Sequence, residues 1–264
     1  MQLPDQVRLA ATVPWRTVDA ARNRMRLSYA GLVALAGGLV ALVITTVGFA
    51  GVSEDVTQHN GLAATDAREL SLFTDHRSAL LVRGARAVTD LGAVAVVGVV
   101  ALAAGYLLWR RGARLGLAIA PAVSLGAAGV AAGIGKALVG RSRPPVGLRL
   151  VNETEPSFPS GHTTDGTAFY LALALVVAIV VFRKPIARML VVAGAGLLAG
   201  VIGLSRLELG VHWPTDVMAG WALGATIALA VTITAAVVTN MAATDRRSGT
   251  ALVLRLLAAQ RSSR

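Results

Sequence analysis

Three short segments of the sequence combine cationic, histidine and acidic residues at the ends of long apolar runs. They cover residues 136–144, 160–162 and 205–216. An ionised group beside hydrocarbon costs roughly 2.5 to 3.5 kcal/mol even on insertion scales, so such groups usually have a functional reason to be there. The residue types in these segments predict a binding site for an anion, and phosphate is the working hypothesis.

Phosphoryl transfer requires residues of these types. A phosphate ester resists attack because its oxygens are anionic, so positive charge and fixed donors must offset that charge before a nucleophile approaches. Arg143 and Arg206 can do so through forked guanidinium groups, and Lys136 can do so as a point charge. Ser160 and Gly161 add a hydroxyl and backbone N–H groups at a predicted helix N-terminus, which favours anions.

Two histidines can divide the remaining chemistry, one attacking phosphorus and the other protonating the departing oxygen. Asp216 lies four residues after His212. It can accept the imidazole N–H and leave the opposite ring nitrogen free to attack. His162 has only Asp165 nearby, three residues later, as a partner or a helix cap. The spacing therefore predicts His212 as the nucleophile and His162 as the general acid.

Each of these residues also has a structural interpretation. Asp216 can favour a helix N-terminus through its charge, and Ser160 can cap a helix. Lys136 can extend its charge to the membrane surface, and Arg143 can anchor the chain there. Taken together, these interpretations leave the coincidence of three spaced segments unexplained, so the joint prediction is functional.

The elements that must position these residues are membrane helices. Apolar residues make up 55% of the 264 residues, only 15% are charged and the mean hydropathy is +0.66, which leaves too little polar surface for a soluble protein. Runs of about 20 apolar residues can span the roughly 30 Å hydrocarbon core. Six such runs predict an all-α, polytopic membrane protein with six transmembrane helices: 27–50, 91–108, 115–139, 166–182, 189–204 and 217–239. The first run exceeds the roughly 7 to 15 residues of a secretory signal, so it is interpreted as retained rather than cleaved after Ala50.

The connection between spans one and two is the longest polar stretch, covering residues 51–90. Apolar residues recur there with loose helical spacing between positions 65 and 88. This pattern predicts a short amphipathic helical segment at the membrane interface that can cover a site, with a solvated connector as the alternative. Two glycine pairs at four-residue spacing, Gly129 with Gly133 and Gly196 with Gly200, predict close helix contacts within the spans.

The charge distribution predicts the orientation in the membrane. The segment 1–26, the loops 109–114 and 183–188 and the tail 241–264 hold 16 of the 25 basic residues but 3 of the 14 acidic ones. Because cytoplasmic loops are enriched in Lys and Arg, both termini are predicted to be cytoplasmic and residues 27–240 to form the membrane domain. The three polar segments then all face the outer side. Arg141 and Arg149, in the same loops, are interpreted as surface charges or lipid-headgroup contacts.

The net charge of +11 does not predict nucleic-acid binding, because the basic residues cluster at the ends of apolar runs. The predicted partners are the bilayer and a lipid phosphate. Cysteine is absent, which excludes disulfides and thiolate metal ligands. Nothing in the sequence specifies an oligomeric state.

The three segments resemble the signature of the type 2 phosphatidic acid phosphatase superfamily. The pattern consists of Lys136-x6-Arg143-Pro144, Pro159-Ser160-Gly161-His162 and Ser205-Arg206-x5-His212-x3-Asp216, without a departure at any signature position. Three separated motifs in the right order, each at a predicted helix end, are far more specific than any one of them. The resemblance covers roughly residues 27–240.

This resemblance implies a lipid phosphate phosphatase that needs no metal or other cofactor and works through a phosphohistidine on His212, oriented by Asp216. His162 would protonate the leaving group and then activate water. The residues that would hold the phosphoryl oxygens are Lys136, Arg143, Ser160, Gly161 and Arg206.

Members of similar size act on isoprenyl pyrophosphates, phosphatidylglycerol phosphate, phosphatidate or diacylglycerol pyrophosphate. An undecaprenyl or decaprenyl pyrophosphate is preferred by analogy, because the predicted outer-facing site lies where carrier lipids for envelope synthesis are recycled. The alternatives are a phosphatidylglycerophosphate or phosphatidate phosphatase and a lipid phosphotransferase of the same family. A non-catalytic lipid-binding or transport protein is disfavoured by the intact histidines. A vanadate-dependent haloperoxidase is disfavoured by the membrane spans.

Overall fold

The computed structural model describes the backbone of residues 29–262 and the side chains of residues 31–242. The predicted basic segment 1–26 and the side chains of most of the predicted tail lie outside the described residues. Within residues 29–262 the chain forms α-helices and short 3₁₀ turns and no strand, so the all-α prediction is confirmed. The α-helices are α1 (Tyr29–Gln58), α2 (Asp66–Thr74), α3 (Ala79–Thr89), α4 (Val94–Arg110), α5 (Leu115–Val139), α6 (Gly161–Val180), α7 (Pro185–Glu208) and α8 (Pro214–Ser262).

The long helices identify a membrane protein. Five segments of the described chain are long and apolar enough to cross a bilayer: Gly31–Gln58, Leu115–Val139, Gly161–Val180, Pro185–Glu208 and Pro214–Ala242. A sixth crossing is made if Ala79–Gly92 and Val94–Arg110, which meet at a 53° bend, are counted as one broken span. The described chain thus has five candidate spans, or the predicted six when this broken pair is counted as the second.

Three helices extend further into the polar segments than the apolar runs predicted. Helix α6 begins at Gly161, α7 ends at Glu208 and α8 begins at Pro214. The apolar runs are shorter because the terminal turns of these helices carry polar side chains that are buried in the protein, and a hydropathy pattern does not recognise such residues as helical. The residues predicted for the site therefore lie in the terminal turns of helices or directly beside them.

The polar stretch 51–90 contains α2 and α3, so the predicted helical segment is confirmed, although α3 is also the first half of the broken second span. Leu70 of α2 is buried against Leu207 and Val217, and Ala85 of α3 is buried against Leu209 and Val211. These contacts fix α2 and α3 over the junction between α7 and α8. A solvated connector, the alternative interpretation, does not fit this packing.

Close helix contacts occur at glycines other than those predicted. A Cβ atom on Gly220 or Gly224 of α8 would lie 2.8 Å or 2.7 Å from side-chain atoms of Thr163 or Thr167, so α6 and α8 approach through these two positions. By contrast, no heavy atom lies within 4 Å of a Cβ built on Gly133, and the same holds for Gly196 and Gly200. The predicted glycine contacts are wrong at these positions, because four-residue spacing shows which helix face is small but not what lies against it.

The chain divides into two compact units. One contains residues 39–232, which include every residue predicted for the site. The other combines residues 1–38 with 233–264, and in it Gly38 of α1 faces Ile233 of α8. Helix α8 continues past the predicted end of span six to Ser262.

Candidate active site

His212 lies in the short link between α7 and α8 and is only 1% exposed. Gly210 makes the turn before it possible with a φ of +68°, a conformation that residues with a Cβ atom rarely adopt. Asp216, in the first turn of α8, lies with its Oδ2 atom 3.3 Å from Nδ1 of His212. The same oxygen accepts the backbone N–H of Trp213 at 2.9 Å. The imidazole is thus held on one side by a fixed carboxylate.

The other ring nitrogen of His212 faces a guanidinium group. Nη1 of Arg143 lies 3.2 Å from Nε2 of His212. An arginine can only donate, so Nε2 must be the acceptor and the ring proton must reside on Nδ1, towards Asp216. This tautomer, assigned from the hydrogen-bond network, gives Nε2 the lone pair that a nucleophile needs.

Two arginines converge on one carboxylate beside His212. Nη2 of Arg206 lies 2.5 Å from Oε1 of Glu153, and Nη2 of Arg143 lies 3.3 Å from Oε2 of the same residue. Arg206 is only 2% exposed and also donates to Oγ1 of Thr89 at 2.8 Å, while Arg143 donates to the carbonyl of Val211 at 2.8 Å. The two guanidinium groups therefore form a fixed site for an anion with at least two oxygens.

Lys136 supplies a third positive charge from the last turn of α5. Its Nζ donates to the carbonyl of Pro156 at 2.7 Å and lies 3.3 Å from Oε2 of Glu155. Sequence reasoning assigned no role to Glu153 or Glu155. The available signal was the pair of acids between the first and second motifs, although their side chains could equally have faced solvent.

Helix α6 begins at the second motif. Gly161 and His162 open the helix, and Ser160 precedes it with its backbone N–H donating to the carbonyl of Asp216 at 3.1 Å. The Ser160 hydroxyl is buried and accepts a hydrogen bond from Oγ1 of Thr163 at 2.9 Å. This contact between the starts of α6 and α8 brings the second and third motifs together.

A cavity of about 470 Å³ opens between these elements. Five of the predicted site residues line it: Lys136, Arg143, Gly161, His162 and His212. Ser160, Arg206 and Asp216 do not line the cavity, but Arg206 contacts Glu153 and Asp216 contacts His212, which both do, and Ser160 contacts Asp216. The remaining wall includes Gly129 and Gly133, so this glycine pair borders open space instead of a helix contact.

Arg141 is part of the site, contrary to the sequence interpretation. Its Nη1 atom donates to Oδ1 of Asp216 at 2.6 Å and to Oγ1 of Thr215 at 2.8 Å, and its Nη2 atom pairs with Asp66. Asp66, at the start of α2, also accepts the backbone N–H of Thr215 at 2.9 Å. The interpretation of Arg149 is also wrong, because this residue donates to the carbonyl of Pro144 at 2.6 Å and braces the first motif loop.

The network Asp66–Arg141–Asp216 predicts a role in catalysis for a residue far from the motifs. Asp66→Asn should weaken the ion pair with Arg141, so that Arg141 no longer fixes the Asp216 carboxylate. We expect kcat to fall by about tenfold, since a charged hydrogen bond is worth about 1.5 to 3 kcal/mol. The measurement is steady-state phosphate release, with Asp75→Asn as the matched control because Asp75 is exposed at the end of α2. A kcat for Asp66→Asn equal to that of the control would contradict the network.

Burial tunes the ionisation of the site residues outside the spans. Burial lowers the pKa of His212 from 6.5 to about 4, although the hydrogen bond and the charge of Asp216 act in the opposite direction. Burial acts to raise the pKa of Glu153, but the charges of Arg206 and Arg143 outweigh it and hold this pKa below its ordinary value. At neutral pH the imidazole is therefore neutral and the carboxylate between the arginines is ionised.

The low pKa of His212 sets an expected pH profile. An imidazole that attacks phosphorus must be neutral, and His212 loses that form only as the pH falls towards about 4. The acidic limb of kcat/KM, which reports the free enzyme, should therefore lie well below pH 6.5. The profile is measured from pH 4 to 8 and corrected for ionisation of the substrate phosphate by ³¹P NMR. A corrected limb at or above pH 6.5 would show that the free imidazole is not held in this way.

Comparisons with known proteins agree with this geometry. The family model of the PAP2 superfamily matches residues 117–239. Decaprenylphosphoryl-5-phosphoribose phosphatase from Mycobacterium tuberculosis is 33% identical over 182 residues, which are 67% of this chain and 82% of that protein. Phosphatidylglycerophosphatase B from Bacillus subtilis is 40% identical over 76 residues, which are 28% of this chain but 37% of that protein.

A solved structure shares the fold. The crystal structure of a transmembrane PAP2 type phosphatidylglycerolphosphate phosphatase from Bacillus subtilis superimposes with a TM-score of 0.66 at 24% identity. The match covers 72% of this chain and 93% of that chain. The helical arrangement around the cavity is thus one that a membrane protein of known structure also has.

Proposed function

This chain belongs to the PAP2 superfamily, and from that premise we propose that it hydrolyses a lipid phosphate through a phosphohistidine on His212, without a metal ion. That the chain is a membrane phosphatase rests on its family and on relatives that are named as phosphatases. The intermediate, the absence of a metal requirement and the substrate are the proposal.

One observation carries the proposal most directly. Arg143 and Arg206 hold the two oxygens of one carboxylate, and Arg143 also reaches Nε2 of His212 at 3.2 Å. A phosphoryl group that replaced the Glu153 carboxylate would keep both guanidinium contacts and would lie next to the lone pair of His212. Lys136 would add its charge once it left Glu155, whose side chain is 72% exposed.

The reaction would proceed in two displacements. Nε2 of His212 attacks phosphorus, the N–P bond forms, and the P–O bond to the lipid breaks as His162 gives its proton to the leaving oxygen. Asp216 stabilises the positive charge that develops on the His212 ring. His162, now neutral, takes a proton from water as that water attacks phosphorus, and the N–P bond breaks to release inorganic phosphate. The arginines hold the equatorial oxygens during both steps.

We propose that the substrate is an isoprenyl lipid that ends in a phosphate group. Support comes from relatives in Mycolicibacterium smegmatis and Mycobacterium tuberculosis, whose name specifies a decaprenyl-linked phosphoribose. The isoprenyl pyrophosphate expected from the sequence belongs to the same class. The excess of basic residues in the predicted cytoplasmic segments supports a site on the outer face of the cell membrane with both termini inside.

Phosphate release in detergent tests the proposed function. The purified chain would be assayed with EDTA against an isoprenyl pyrophosphate, an isoprenyl-linked pentose 5-phosphate, phosphatidate and phosphatidylglycerol phosphate. The expected result is release from at least one isoprenyl lipid at a rate that EDTA does not change. Loss of activity in EDTA that added metal restores would refute metal independence, and release only with an added acceptor lipid would indicate phosphotransfer.

A further inference from the structure

Asp165 is a buried carboxylate in the cavity that the proposed reaction does not use. It lies in the second turn of α6, is 9% exposed and lines the cavity wall. Its Oδ1 atom is buried and has no hydrogen-bond partner, so it does not brace His162 as one sequence interpretation held. A buried polar atom without a partner costs free energy, and such an atom in a native protein requires an explanation.

Space for a ligand exists directly beside this carboxylate. The facing wall of α5 consists of Gly129, Ala132 and Gly133. A Cβ atom on Gly129 would lie 4.0 Å from Oδ1 of Asp165, and nothing lies within 4 Å of a Cβ on Gly133. The small residues leave room next to the acceptor oxygen, and larger side chains would fill it.

The position of Asp165 indicates which part of a substrate it meets. His162 and Asp165 are three residues apart on α6, and residues at this spacing lie on the same face of a helix. In the proposed mechanism His162 protonates the leaving oxygen, so the atoms next to that oxygen lie towards Asp165. Asp165 therefore faces the leaving group, while the arginines face the phosphoryl group.

We propose that Asp165 accepts a hydrogen bond from a hydroxyl of the leaving group, so that the enzyme selects phosphate esters of sugars or other polyols over pyrophosphates. This inference rests on the proposed function, because it places the leaving group by the role of His162. A hydroxyl group can donate a hydrogen bond to the unpartnered Oδ1 atom of Asp165, and burying a neutral hydroxyl in this way costs little free energy. The leaving group of a pyrophosphate is itself a phosphate anion, which the Asp165 carboxylate would repel.

Three substrates with different leaving groups test this inference. They are an isoprenyl-linked pentose 5-phosphate, phosphatidate and an isoprenyl pyrophosphate, whose leaving groups are hydroxylated, neutral without a hydroxyl and anionic. Asp165→Ala should lower kcat/KM about tenfold for the first, leave the second within about twofold and leave or raise the third. Asp165→Asn, which keeps an acceptor oxygen but not the charge, should retain most activity on the first and raise activity on the third. An equal change on all three substrates would overturn the proposal and indicate a structural role.

A binding measurement separates this inference from the proposed function. Ribose 5-phosphate and methyl phosphate would be titrated calorimetrically into the wild-type protein and into Asp165→Ala. We expect the wild type to bind ribose 5-phosphate about tenfold more tightly than methyl phosphate, and the variant to bind both equally. Because this measurement needs no turnover, it decides the role of Asp165 even if the wild type releases no phosphate. A wild type without this preference would refute the inference and leave the phosphatase proposal standing.

Discussion

His212→Gln should abolish turnover, lowering kcat by at least about 10³-fold, since removal of a covalent nucleophile leaves only the binding contributions to catalysis. Glutamine is close in size to histidine and can still accept a hydrogen bond from Arg143. It has no ring nitrogen that can form a bond to phosphorus. The loss would therefore report the chemistry of Nε2 rather than a collapse of the pocket. Steady-state phosphate release on the preferred lipid measures it.

Trapping the phosphoenzyme gives the second readout for His212. Wild-type protein mixed with ³²P-labelled substrate and quenched in base should retain label on the chain, and acid should remove it because an N–P bond is acid-labile. His212→Gln should retain none. His76→Gln is the matched control, because His76 is exposed beyond the end of α2 and bonds only the carbonyl of Leu72. Label in the His212 variant, or a kcat within tenfold of the control, would assign the nucleophile elsewhere.

The parts of the site that could be predicted from the sequence are those encoded by local spacing. His212 and Asp216 are four residues apart and meet across the first turn of α8, as the pattern predicts. Gly161 and His162 lie within five residues of the apolar run 166–182 and open the helix that this run forms. In each case the chemistry and the helix end are adjacent in the chain, so a short window of sequence contains both.

The parts that could not be predicted depend on long-range contacts. Arg141 reaches Asp216 across 75 residues and Asp66 across another 75, and nothing near Arg141 in the chain distinguishes it from an interface anchor. The contact of Glu153 could not be predicted either, because its partner Arg206 lies 53 residues later in the chain. The open space at Gly133 is a property of the assembled helices and has no local signature. The spacing of residues in the sequence thus predicts the histidines and their close partners. The residues that position them from distant parts of the chain are determined by how the helices pack.

The Asp216 carboxylate uses both oxygens, and this makes Asp216→Asn the more informative of the two central substitutions. Oδ1 accepts from Arg141 at 2.6 Å, and Oδ2 accepts from Nδ1 of His212 at 3.3 Å and from the Trp213 N–H at 2.9 Å. An asparagine has one acceptor oxygen and one amide nitrogen. Arg141 and the Trp213 N–H can both only donate, and the charged guanidinium at 2.6 Å should take the single amide oxygen. The amide nitrogen then turns towards His212, and the Trp213 N–H loses its acceptor.

This arrangement should invert the tautomer of His212. With an amide N–H facing Nδ1, the ring must accept there and carry its proton on Nε2, where the lone pair is needed for attack. We expect kcat to fall by about 10² to 10⁴-fold, the range in which loss of an orienting carboxylate can lie. Base-stable phosphoenzyme should form correspondingly slowly when labelled substrate is mixed with the variant and quenched over time.

The fold should survive this substitution, which separates an orienting role for Asp216 from a structural one. Arg141 keeps Asp66 and the Thr215 hydroxyl as partners, so no cation is left unpaired in the interior. Asp216→Asn should therefore unfold in one cooperative transition close to that of the Asp75→Asn control and should still bind inorganic phosphate, because the arginines are unchanged. A variant that has lost phosphate binding together with turnover would mean that Asp216 builds the anion site. Turnover near wild type would mean that His212 does not need the carboxylate to present Nε2.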